Sequence, residues 1–138
     1  MIDFTSVFGV RAERRLIEDQ VVWLTTVDIH GKPQPRPVWF LWDGESLLVY
    51  SRPNAHKVRH IETNPHVSLN FNSDHSGGDI VTLLGEAHIA KSPINGGLIA
   101  RYVEKYRQGM DDLSLSPVDF SNTYSVAIRI KPTSLRGH

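Results

Sequence analysis

Three prolines at every second position, in KPQPRPVWF (Lys32 to Phe40), restrict this chain more than any other stretch. Proline brings no backbone N–H to a ladder, so a central strand would lack three donors at Pro33, Pro35 and Pro37. Only an edge strand, or a strand that starts on a bulge, accepts them. Immediately afterwards VWFLW and SLLVYS flank Asp43-Gly44. Asp-Gly between apolar runs is among the strongest hairpin signals. The chain therefore runs along a sheet edge and then turns back on itself, which points to antiparallel β structure.

The remaining elements extend that reading. VRAERRLIEDQ is predicted as an amphipathic helix with Val10, Leu16 and Ile17 available to bury. VVWLTTVD is rich in β-branched residues and reads as a strand ending at a turn around Asp28 to Gly31. Pro53 is expected to open a helix that runs through Val58 and Ile61 and stops before Pro65. HVSLNFN alternates Val67, Leu69 and Phe71 inward, and IVTLLGEAHIAK is a long strand in which Gly85 signals a bulge or bend. GLIARYVEKYRQ has helical spacing at Leu98, Ile99, Tyr102 and Tyr106. YSVAIRIKPTSLRG sets Val126, Ile128 and Ile130 against Ala127, Arg129 and Lys131. About six strands with hairpin links predict one mainly β domain over residues 1–138, an antiparallel sheet or barrel with flanking helices.

Charge and cysteine content narrow the function. Fifteen basic and 15 acidic side chains give a net charge of zero, which argues against a general nucleic-acid or anionic-membrane binder. Cysteine is absent, so disulfides and thiolate metal sites are excluded, which fits a reducing cytoplasm. MIDFTSVFGVRAERR has no basic leader followed by an apolar run, and no apolar run is long enough to span a bilayer; a cytoplasmic, membrane-free domain is expected.

Against that neutral background, no acidic residue falls between Glu45 and Glu62, while Arg52, Lys57 and Arg59 are basic. A helix start offers free N–H donors to an anion. Ser51 adds a hydroxyl, Arg52 a planar fork and Lys57 a compact charge, a set suited to a phosphate. The plainer alternative is that Ser51 or Asn54 caps the helix and the cations are solvated. RPVWF supplies a flat apolar wall of the kind a ring cofactor needs. Strand alternation sends Trp39 and Leu41 one way and Phe40 and Trp42 the other, so only one pair can face such a ring; core or interface packing is the other fate for these tryptophans. His56 and His60, four apart, suit two metal positions but lack a third ligand, and no metal site is expected. No Ser-His-Asp, Walker or Rossmann pattern occurs.

The run WLTTVDIHGKPQPRPVWFLWDGESLLVYSRPNAHKVRHIETNPHVSLNF, the later GGDIV and the closing YSVAIRIKPTSLRGH together resemble the pyridoxamine-5'-phosphate-oxidase-like, FMN-binding split-barrel flavoproteins, and within them the deazaflavin (coenzyme F-420) dependent oxidoreductases. The resemblance implies a homodimer with two cofactors in grooves at the interface. It places Ser51, Arg52 and Lys57, at the end of the strand that carries Tyr50, on the cofactor phosphate. It sets Pro37, Val38, Trp39 and Phe40 along the ring. It brings the C-terminal strand, with Arg129 and Arg136, to the partner's cofactor. Relatives often end in an aromatic where this chain has His138. Gly77 and Gly78 either let a loop approach the cofactor or form a plain turn.

The function so implied is hydride transfer between the cofactor and a small organic substrate, with no catalytic side chain because the cofactor carries the chemistry. F-420 is the first expectation and FMN the second. The glutamate tail of F-420 asks for more cation than one phosphate does, and Arg11, Arg14 and Arg15 are possible neighbours of Arg52, Lys57 and Arg59. Pyridoxamine-phosphate oxidase itself is not expected, because the chain is short for it and lacks its C-terminal substrate-phosphate motif. A flavin carrier or sensor without turnover and a haem-binding or haem-degrading split barrel are the alternatives.

Overall fold

The computed structural model describes residues 1–138. Helix α1 (Val7–Glu18) is followed by β1 (Val22–Val27), β2 (Pro33–Val38), β3 (Leu41–Trp42), β4 (Leu47–Ser51), α2 (His56–Thr63), β5 (His66–Asn70) and β6 (Val81–Ile89). Three helices, α3 (Gly96–Lys105), α4 (Arg107–Asp112) and α5 (Pro117–Thr123), precede the long β7 (Val126–Gly137). All strand pairs are antiparallel, in the order β2-β1-β5-β6-β7-β4-β3. There are seven strands where about six were expected, because VWFLW divides between the end of β2 and the two-residue β3.

The strand order explains the architecture. β2 and β3 lie at opposite edges of the sheet, yet only Trp39 and Phe40 separate them in the chain. Three peptide steps reach about 11 Å at most. The sheet must curl until its two edges meet, closing a barrel that is split between β2 and β3.

The prolines sit where that edge allows. β2 pairs only with β1, matching Val22 to Val38, Leu24 to Arg36 and Thr26 to Gln34. In an antiparallel strand the N–H and C=O of one residue point the same way. Gln34, Arg36 and Val38 therefore serve the ladder, and Pro33, Pro35 and Pro37 turn their donor-free sides outward.

Two cores result. The barrel interior holds Leu24, Phe40, Trp42, Val49, Leu69, Leu83, Ile128 and Ile130, among others. A second cluster under α3, α4 and α5 holds Leu41, Leu48, Tyr102, Tyr106, Met110 and Phe120. The alternation expected around Trp39 holds: Phe40 and Trp42 join the first core, and Leu41 with half-buried Trp39 the second.

Several expectations need correction. α1 buries Gly9, Ala12 and Leu16, whereas Val10 and Ile17 are exposed; the inward stripe runs through the smaller residues because Gly9 lies against the Asp3–Phe4 backbone. α2 starts at His56 with Ala55 as its cap, so Pro53 and Asn54 form a turn before it and Ser51 caps nothing. Helix 97–108 breaks at Tyr106 into α3 and α4. α5 was not expected; Ser116 and Asp119 form its capping box with Pro117 at its start. The register shift between Leu84 and Gly85 is the expected bulge, and a Cβ on Gly85 would stand 2.9 Å from the Lys131 carbonyl oxygen.

Candidate cofactor site

The hairpin β3–β4 runs into α2 and delivers Tyr50, Ser51, Arg52 and Lys57 to the side of the barrel where β2 ends. Ser51 is buried; its hydroxyl donates to the Arg52 carbonyl at 3.1 Å and accepts from Lys57 Nζ at 3.4 Å. Burial and, after it, the nearby Arg36 guanidinium hold the Lys57 pKa below its ordinary value. No carboxylate lies within ion-pair distance of either cation; the molecule's ion pairs engage other arginines. Asp28 shares the cavity, but its oxygens already accept from the His30 and Lys32 amides and the Gln34 side chain.

Lys57 and Pro37 stand at the junction of two cavities of about 540 Å³ each. The first is polar, lined by Thr26, Arg36, His56 and His60 among others. The second is an aromatic slot lined by Val38, Trp39, Tyr50, Tyr102, Phe120 and Tyr124 among others. Its aromatics form a connected stack: Trp39 lies parallel to Tyr106 at 4.5 Å and to Phe120 at 5.8 Å, and Phe120 stacks on Tyr124 at 4.7 Å. Arg52 is exposed and sits over the Tyr124 ring at 5.3 Å.

Pro37, Val38, Trp39, Tyr50, Ser51 and Lys57 thus converge on one groove, with Arg52 at its rim. Phe40 does not reach it: its side chain is fully buried in the barrel core, and its backbone N–H and C=O are bound by Tyr106 and Lys105. Arg129 lies on the face that carries Tyr50 and pairs with Asp43 at 3.4 Å. Arg136 is exposed at the far end of β7, opposite Thr82. Arg15 is held by Asp19 and Asp79, and Arg11 by Asp79, so within one chain these charges serve α1 and not the groove. Arg59 is exposed and bonds His56 Nδ1 at 2.9 Å. Gly77 (φ 78°) closes a turn built on the Asp74 carboxylate, which accepts from the Ser76 and Gly78 amides. The rings of His56 and His60 stack 6.4 Å apart, and no group of three or more potential ligands could hold a metal ion.

Arg36 and the aromatics of α3 and α5 are the groove residues that sequence reasoning missed. Arg36 was hidden inside the proline run. The α3 aromatics had periodicity but no link to the site, and α5 itself was not expected.

Residues 11–138 match the family described as pyridoxamine 5'-phosphate oxidase. The chain belongs to that family. General stress protein 26 of Bacillus subtilis (strain 168) is 28% identical over 109 residues, covering 77% of this chain and 71% of the relative. Among solved structures, an F420 reductase shares the fold with a TM-score of 0.69 at 24% identity, covering 90% of this chain and 94% of the other. A haem storage protein from Vibrio cholerae superposes with a TM-score of 0.69 at 20% identity, covering 99% of this chain and 95% of that one. No helix is long and apolar enough to cross a membrane.

Proposed function

We propose that the protein is an oxidoreductase that holds a flavin-type cofactor, F-420 first and FMN second, and transfers a hydride between it and a small organic substrate. The carrying observation is the pair of cations Lys57 and Arg36, set close together with no carboxylate within ion-pair distance of either, where a polar cavity meets an aromatic slot. Half-buried Lys57 and the exposed Arg36 beside it lack a counterion, and a phosphate supplies one with charge-assisted hydrogen bonds. Membership in the oxidase family and the likeness to an F420 reductase support the same reading.

The bound cofactor would supply hydride chemistry. The chain's own residues do the rest. Lys57, Arg36 and the Ser51 hydroxyl hold the phosphate. Pro37, Val38 and Trp39 form a wall for the ring. The outward carbonyls of the proline edge offer acceptors to a donor on the ring's polar rim. α3, α4 and α5 keep water from the slot. F-420 stands first because the polar cavity continues past Lys57 to Arg36, leaving room beside a second cation for an acidic tail. Two copies of the chain are proposed to assemble, each completing the other's groove.

Equilibrium titration of the purified protein with F-420 and FMN, side by side, tests this. F-420 should bind at least about tenfold tighter at low salt, with the advantage shrinking as salt rises. FMN tighter throughout would make it an FMN enzyme, and binding of neither would end the proposal. A strong Soret band on haem addition would favour a haem protein instead.

A further inference from the structure

A third cavity, of about 530 Å³, lies beside the aromatic slot between α3, α5 and the start of β7. It shares Tyr50, Tyr102, Phe120 and Tyr124 with the slot, so these four rings form the partition between the two. Its remaining lining is aliphatic residues, prolines and serines, such as Ile89, Ile99, Val118 and Ser121, without one lysine, arginine, histidine, aspartate or glutamate. The polar cavity holds the cations and this one holds none. A phosphate or carboxylate entering it would lose its hydration without a counter-charge. An uncharged apolar molecule gains from the same walls.

One polar atom of the partition is left without an acceptor. Tyr102 is 1% exposed, and its hydroxyl has the Tyr50 backbone amide near it as a donor but nothing to take its own proton. Tyr50, Tyr106 and Tyr124 are its neighbouring phenols. Buried hydroxyls are normally bonded, and an exception calls for a reason.

We propose that this cavity is the site of the organic substrate, that the substrate is an uncharged, mainly apolar molecule bearing a carbonyl or quinone oxygen, and that Tyr102 donates its free hydroxyl hydrogen to that oxygen. The assignment rests on the oxidoreductase reading for the word substrate, though not for the binding itself. It separates this chain from enzymes whose substrate carries a phosphate.

The test uses menadione, an uncharged quinone, and naphthoquinone sulfonate, an anionic one, each titrated calorimetrically into the full chain without cofactor. Menadione should bind at least about tenfold tighter than the sulfonate. Val118→Asp, at an exposed position of the lining, should cost menadione about tenfold. Tyr102→Phe removes a buried hydroxyl whose proton has no acceptor, so it should keep or raise the melting temperature while weakening menadione binding; a purely structural tyrosine would not separate these effects. Equal binding of both quinones, or menadione affinity indifferent to both substitutions, overturns the proposal. Titration of F-420 and FMN on the same samples keeps the two readings apart. Quinone binding as described with neither cofactor bound leaves the cavity assignment standing and removes the cofactor site, and the converse removes the cavity alone.

Discussion

Lys57 occupies a wall where nothing negative meets it, and that is the most consequential fact at the scale of single residues. Each charge-assisted hydrogen bond to a phosphate contributes roughly 1.5–3 kcal/mol. Lys57→Ala should therefore weaken cofactor binding about tenfold to a hundredfold, measured by equilibrium titration, and the loss should shrink at high salt. Arg36→Ala should act in the same direction. Arg59→Ala should bind nearly as wild type, because Arg59 points to solvent and bonds His56; an Arg59 effect larger than that of Lys57 would mean the wrong helix face has been assigned. Ser51 and Lys57 were legible as a motif because the strand end and the following helix are read from local sequence. Arg36 was not, since its neighbour Lys57 is brought to it by the packing of α2 against β1, the strand paired with β2, which no local pattern encodes.

At the scale of elements, the connector Trp39-Phe40 is held by the end of α3. The Phe40 amide donates to the Tyr106 hydroxyl at 2.7 Å, and that hydroxyl's single proton goes to the Gln20 carbonyl at 2.7 Å or the Phe40 carbonyl at 2.8 Å. Lys105 Nζ donates to the same Phe40 carbonyl at 2.8 Å and sits 3.7 Å from the Phe40 ring centroid. Tyr106→Phe would strand a buried amide, so stability in urea should fall by about 1–3 kcal/mol. Gly109 of α4 offers a second probe. A Cβ there would come within 2.9 Å of the Trp39 ring, which is already stacked on Tyr106 and Phe120. Gly109→Ala gains about 1 kcal/mol of helix propensity, but overpacking costs about 1–3 kcal/mol. A net loss of stability with a changed Trp39 emission is expected; an unchanged spectrum would show that the slot yields freely. α3 was legible from its spacing, while α5, seven residues long with Phe120 alone buried, had too short a period to register. Its signal was Ser-Pro followed by Asp119, a capping box with proline at the first helical position.

At the scale of the whole molecule, the edges and the buried ionisable groups decide how the protein behaves. β2 presents carbonyls without donors, and β3 is only two residues long, so neither edge invites strand addition. The proposed dimer then forms through faces and not by extending the sheet; sedimentation at micromolar concentration should show two chains with cofactor present, and a monomer would count against it. That the sheet curls was legible only as a choice between open sheet and barrel, because strand order is a long-range property. The pH response follows from α3. Burial pushes Lys105 down to about 8 from an ordinary 10.5, although Asp19 opposes it, and burial raises Tyr102 and Tyr106 well above their ordinary 10.0. Below pH 8 Lys105 is protonated whether folded or unfolded, and the cost of burying its charge is fully present. Between about 8 and 10.5 the unfolded chain binds more protons at this lysine, so stability rises with pH. Above about 10 the unfolded tyrosines lose protons that the folded ones keep, so stability falls again. The melting temperature should therefore climb from pH 8, peak before pH 10.5 and then drop. Lys105→Met should flatten most of the climb, leaving a smaller rise from Lys57, whose pKa is also lowered, and should leave the drop in place. A melting temperature that falls steadily from pH 8 upward would mean that Lys105 keeps its hydration and that the end of α3 stands away from the barrel.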